Sequence, residues 1–174
     1  MTNLSYPIGR FKFETEISDE QRHQFIAEIE KAPEHLRTAV SGLSSEQLDT
    51  PYRPGGWTVR QVVHHLADSH LNAYTRFKLA LTEEEPTIKP YDQAGWAELA
   101  DGRTASHEIS LSLLEWLHRR WVVLLNSMTP TDFSRTFRHP ESGVLTLIQT
   151  LSLYAWHGRH HIAHISTLRQ RMNW

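Results

Sequence analysis

Twelve histidines are spread unevenly through this 174-residue sequence, and seven of them fall in two short segments, HHLADSH at 64–70 and HGRHHIAH at 157–164. Histidine is a metal ligand and a proton carrier near neutral pH, so clusters of it raise the question of a cation site. On a helix, residues i and i+4 lie one turn apart on one face. His157 with His161, or His160 with His164, can therefore offer two ring nitrogens to one ion at about 2.0–2.1 Å from each. Two imidazoles leave a zinc-like ion short of ligands, because catalytic sites take three protein ligands and keep a position for water. The other segment supplies the third. His65 shares a stripe with Thr58, Gln61, Ser69 and Asn72 at the border of an apolar face, whereas His64 falls with Arg60, Asp68 and Lys78. The residues themselves thus predict His65 combined with one of the two pairs, and they leave the choice of pair open.

Other chemistries are poorly served. Without cysteine there are no disulfides, thiolate metal sites or cysteine nucleophiles. A di-iron centre needs carboxylates from every helix of a bundle. Glu20-x-x-His23 and Glu115-x-x-His118 occur, yet 144–174 contains no acidic residue and the helix around His65 offers only Asp68. Zincin, serine-hydrolase and nucleotide-binding motifs are missing. The bland reading of the 157–164 cluster is an exposed, pH-sensitive polar face. His23, His35, His107, His118 and His139 read as surface or hydrogen-bonded core residues. Ligand rings need partners for their second nitrogen, a role open to His160, His164 and Asp68. Most of the six tryptophans read as core, with Trp57 and Trp96 placed beside loops where they could wall a pocket.

Helical periodicity supplies the elements that must hold these residues. The first helix spans 19–42, with Phe25, Ile29, Leu36 and Val40 near one face, Pro33 kinking or splitting it and Gly42 stopping it. Thr58 and Gln61 form a capping box for the second, which buries Val59, Val62, Val63, Leu66, Ala73 and Phe77 and runs to about Thr82. In the third, from Ser106 to Met128, a wide stripe of Ile109, Leu113, Leu114, Trp116, Leu117, Trp121 and Leu124 predicts a well-covered helix. Thr146 and Gln149 repeat the capping pattern for the fourth, which carries Leu147, Leu151, Tyr154, Ile165 and Leu168 to near Arg171.

The segment from Glu83 to Arg103 is longer than an antiparallel helix hairpin requires and long enough to cross the bundle, so helices two and three are expected to run parallel. Residues 129–143 begin with a capped turn at Thr129-Pro130, and no strand alternation of useful length is visible. The expected class is all-α, one four-helix-bundle domain over 1–174.

Charge and hydropathy narrow the partners. With 18 basic and 20 acidic residues, no basic face for nucleic acid and no arm for anionic membranes is implied. The start lacks a basic-then-apolar signal pattern and the longest apolar run, Trp121 to Leu125, is far short of a span. A soluble, cytoplasmic protein is expected.

SYPIGRF near the start, LDTPYRPGGWTVRQVVHHLADSH, RFKLALTEEEPTIKPYD and LYAWHGRHHIAHI together resemble the DinB/YfiT-like superfamily, and specifically its YfiT-type metal-dependent hydrolases. The resemblance covers most of the chain. It implies an up-down-down-up four-helix bundle with its long crossover between helices two and three. It also implies a homodimer with one divalent ion per subunit, zinc or nickel, held by His65, His157 and His161, and so it selects one of the two pairs. Open coordination positions would go to water or to a small-molecule substrate, with Asp68 and His164 as candidate bases. An alternative carried by relatives in the superfamily is a thiol S-transferase of the bacillithiol-dependent kind, with a low-molecular-weight thiol as partner and Arg53, Arg60, Arg76 or the crossover as its pocket. A metal-binding dimer without turnover is the third reading.

Overall fold

The computed structural model describes residues 3–174. In chain order the elements are α1 (Asp19–Val40), α2 (Ser45–Leu48), α3 (Val59–Thr82), α4 (Gln93–Ala97), α5 (Ala100–Thr104), α6 (His107–Ser127), α7 (Pro130–Phe133), strands β1 (Thr136–His139) and β2 (Gly143–Thr146), and α8 (Leu147–Met172). The long helices α1, α3 and α8 begin with reciprocal capping boxes, Ser18 with Gln21, Thr58 with Gln61 and Thr146 with Gln149. Each box satisfies two backbone donors that the first turn leaves without partners, which is why the starts of α3 and α8 were readable in the sequence.

Two apolar clusters fix how the long helices run. Near one end of the bundle, Leu36 and Val40 of α1 pack with Val59, Val62, Val63 and Leu66 of α3, Leu111 and Leu114 of α6, and Ile165 and Leu168 of α8. Toward the other end, Ile26 and Ile29 meet Ala73, Tyr74 and Phe77, Leu117, Trp121 and Leu125, and Leu147, Leu151 and Tyr154. The early part of α3 thus lies with the early part of α6 and the late parts of α1 and α8. The order is up-down-down-up, with α3 and α6 parallel and the crossover, carrying α4 and α5, between them.

Four expectations are corrected. α1 is not split at Pro33, which is buried within a single helix from Asp19 to Val40. The segment before α8 contains a two-stranded antiparallel ribbon, pairing Thr136 with Thr146 and Phe137 with Leu145. Its strands are four residues each, too short for alternation to stand out, and it holds the crossover through Ile88 N–H to Arg138 O and Arg138 N–H to Pro86 O.

The helix α6 is covered on one side only. Leu111, Leu114, Trp121 and Leu125 are buried, while Ile109, Leu113, Trp116 and Val123 are 45–70% exposed in a second row on nearly the opposite side of the helix. Most tryptophans likewise lie outside the core: Trp121 is fully buried, but Trp96 and Trp116 are exposed and Trp57, Trp156 and Trp174 are half-buried. Apolar spacing marks a helix face without saying how many of its faces find a partner. No helix among the described residues is long and apolar enough to cross a membrane.

Candidate metal centre

Where antiparallel α3 and α8 face each other, His65, His157 and His161 bring one ligand nitrogen each to within 4.8 Å of the others. Among the described residues this is the one group of three or more His, Cys, Asp or Glu side chains with that property. Nε2 of His65 stands 3.4 Å from Nε2 of His157. In a tetrahedral zinc site with bonds of about 2.0–2.1 Å, neighbouring ligand nitrogens are about 3.3–3.4 Å apart. That pair is therefore already at ligand spacing. The His161 ring completes the group, with centroids 4.7 Å from His65 and 4.5 Å from His157.

Burial sets the charge state. It holds the His65 imidazole down at about 4, and it holds His157 and His161 well below their ordinary value, the neighbouring imidazoles adding to the effect. At neutral pH all three are uncharged and offer lone pairs, which is the form a cation binds. The Trp57 ring lies 4.7 Å from the His65 ring, whereas Trp96 packs on Tyr91. Two neutral donors at bonding separation, a third beside them and no carboxylate in the group together fit a divalent transition-metal ion of the imidazole-preferring kind.

The other histidines of the two segments divide cleanly. His64 has both ring nitrogens engaged, Nδ1 with Ser110 Oγ at 2.7 Å and Nε2 with the Ala105 carbonyl at 3.3 Å, so it ties α3 to the start of α6. His160 and His164 face each other, Nε2 to Nε2 at 3.0 Å, between the Trp156 and Tyr52 rings, and the Nδ1 atoms of both are buried without partners. They form a separate imidazole pair. The Nε2 of His164, a candidate base, is engaged by His160.

Asp68 is half-buried, and burial together with the Asp101 carboxylate pushes it up to about 6. Of the arginines, Arg60 is held by Asp49 at 2.7 Å and by the Ala105 carbonyl, and Arg53 turns to the carbonyl of Pro54. Arg76 instead lines a cavity of about 200 Å³ together with Ser69, Tyr91, His139, Tyr154 and His157, which brings it to the edge of the centre. The Tyr91 hydroxyl is buried without a hydrogen-bond partner.

Sequence reasoning missed two residues behind His157. His70 Nε2 lies 3.2 Å from His157 Nδ1, and His70 Nδ1 lies 2.9 Å from His118 Nε2, whose own Nδ1 meets the Ile29 carbonyl at 2.6 Å. His118 had read as surface or a hydrogen-bonded core residue, and it is the latter; its link to His157 through His70 was not foreseen. The available signal was its spacing: His118 repeats with Leu114 and Trp121, and His70 with Leu66, Ala73 and Phe77, so both sit in buried stripes where a polar ring must have partners.

Residues 28–165 match the DinB superfamily. A protein of Oceanobacillus iheyensis named "Putative metal-dependent hydrolase" is 56% identical over 172 residues, covering 99% of both chains. Among solved structures, YfiT from Bacillus subtilis, described as "a probable metal-dependent hydrolase with an unusual four-helix bundle topology", superposes with a TM-score of 0.97 at 55% identity, covering 99% of each chain. The four-helix bundle protein TT2238 shares the fold at a TM-score of 0.56 and 20% identity, over 81% of this chain and 94% of its own. The chain belongs to the DinB/YfiT-like family.

Proposed function

We propose that this protein is a metal-dependent hydrolase of a small-molecule substrate, with His65, His157 and His161 as the ligands of one divalent ion, zinc first by donor type and nickel next. The observation that carries the reading is the convergence of three neutral imidazoles, His65 and His161 buried and His157 half-buried, with ligand nitrogens inside 4.8 Å and no acidic side chain among them. Held by these three uncharged ligands, such an ion would keep its positive charge and supply Lewis-acid chemistry, acidifying water or polarising a carbonyl. The names of the relatives agree with this chemistry.

The chain's own groups supply the remainder. Trp57 shields one side of the ligand set from water. Arg76, in the cavity that His157 also lines, offers a cation to an acidic or carbonyl group of the substrate, and the unpartnered Tyr91 hydroxyl offers a hydrogen bond. Asp68, three residues after His65 on α3 and so beside it on the helix, is the carboxyl we assign to proton removal, and its rise to about 6 suits proton exchange near neutral pH. The exposed row of Ile109, Leu113, Trp116 and Val123 supports a homodimer formed through α6.

The experiment is a comparison of metal-free and zinc-loaded or nickel-loaded protein against a panel of chromogenic esters and amides, with and without low-molecular-weight thiols. Hydrolysis that requires the ion and not the thiol supports the assignment. Turnover only with a thiol and an electrophilic acceptor assigns the centre to S-transfer instead.

A further inference from the structure

Inside α1, Pro33 carries no backbone N–H, so the carbonyl four residues earlier, that of Ile29, loses its helical donor. Ile29 is fully buried, and a buried carbonyl needs a partner from elsewhere. The partner is Nδ1 of His118 on α6, at 2.6 Å. A carbonyl only accepts, so that nitrogen must carry the proton. A neutral imidazole has a single N–H, which leaves His118 Nε2 as an acceptor. Its neighbour at 2.9 Å, His70 Nδ1 on α3, must then donate, and His70 Nε2 must accept. The next contact, 3.2 Å to His157 Nδ1 on α8, requires that nitrogen to donate as well. The only proton of His157 is thereby placed on Nδ1. Its Nε2, 3.4 Å from Nε2 of His65, carries a lone pair.

Neutrality of His70 and His118 follows from the surroundings: they are 0% and 1% exposed, and among the described residues no carboxylate is hydrogen-bonded to either. Reversing any one link would set two lone pairs or two protons against each other in a dry interior, which costs more than a lost hydrogen bond. The chain thus has one direction.

We propose that Pro33, His118 and His70 are positioning residues for the metal centre: they build a one-directional imidazole chain through all four long helices that fixes His157 as its Nδ1–H tautomer and presents its Nε2 lone pair to the cation. Only the last clause rests on the three-histidine metal reading. The tautomer assignments follow from the polypeptide alone. The chain also explains why an interior position of α1 holds proline, a residue that weakens an isolated helix.

Two measurements test this. In metal-free protein labelled with ¹⁵N-histidine, long-range ¹H–¹⁵N correlation at neutral pH reads which ring nitrogen carries hydrogen. Nδ1–H is expected at His118, His70 and His157, and Nε2–H at any of them overturns the chain. Zinc affinity, measured by competition with a chelator, is expected to fall 10–100-fold in His70→Phe, the usual range when the partner behind a ligand histidine is removed. His70→Gln, whose amide oxygen can stand in for the accepting Nε2, should recover most of that loss. Wild-type affinity in His70→Phe refutes the positioning role. His65→Ala separates the two ideas. If it binds zinc like the wild type, the three-histidine reading fails while the tautomer spectrum is still judged by itself. Should His70→Phe not fold, the wild-type spectrum decides.

Discussion

His65 on α3 and His157 on α8 are 92 positions apart in the sequence and 3.4 Å apart at their Nε2 atoms. Two antiparallel helices, each started by its own capping box and each buried along one apolar stripe, carry that pair to the spacing of ligands around one ion.

Acid should unfold the metal-free protein through its buried imidazoles. Burial holds His118 at about 4 against an ordinary 6.5. Between those values the unfolded chain binds a proton that the folded chain refuses, so unfolding gains as pH falls. The penalty is absent above 6.5 and reaches about 3 kcal/mol for this one group below 4. Thermal unfolding of the metal-free protein from pH 8 to pH 4 should show Tm steady down to about 6.5 and then falling steeply. A Tm independent of pH across that window contradicts the burial argument.

Asp68 works with the opposite sign. Held at about 6 in the fold against 3.8 when unfolded, it weakens the fold as pH rises through that interval. Asp68→Asn should therefore raise Tm at pH 7. If Asp68 is the base, the same variant should lower kcat by about 10²–10⁴-fold with metal affinity unchanged. A stable variant with wild-type kcat removes Asp68 from the mechanism.

The exposed row on α6 makes its own prediction. Trp116, 64% exposed with Arg119 over its ring, stands in the middle of Ile109, Leu113 and Val123. Light scattering coupled to gel filtration should give a dimer for the wild type and a monomer for Trp116→Glu, with the helical content of both the same. A wild-type monomer rules out this use of the surface.

Much of the bundle could be read from residue order because its determinants are local. Thr58 with Gln61 and Thr146 with Gln149 fix where α3 and α8 begin, and Val59, Val62, Val63 and Leu66 fix which face of α3 turns inward. The long crossover implied the parallel run of α3 and α6. The illegible parts depend on what lies opposite a residue in space. Ile109 and Trp116 carry the same apolar signal as Leu111 and Trp121, but no other helix covers them. Phe137 and Leu145 pair across a ribbon too short for alternation to register. His70 and His118 sit in core stripes where nothing in the local sequence announces an imidazole partner, and Pro33 reads as a helix breaker until the Ile29 carbonyl is seen to have a use.

Arg76 should act on substrate rather than on the fold or the ion. It is half-buried in the cavity shared with His157 and makes no ion pair among the described residues. Arg76→Ala is expected to raise KM about tenfold or more for an acidic substrate, leaving zinc affinity and Tm at wild-type values, since a hydrogen bond to a charged group is worth about 1.5–3 kcal/mol. Equal KM for acidic and neutral substrates in the wild type would remove this assignment.

The central claim is that His65, His157 and His161 share one ion. The direct measurement is zinc titration of metal-free protein by calorimetry, alongside His65→Ala, His157→Ala, His161→Ala and, as a neighbour outside the set, His160→Ala. The account predicts one ion per chain in the wild type and in His160→Ala, and loss of that binding in each of the other three. Undiminished binding in any of the three, or no binding by the wild type, would contradict it.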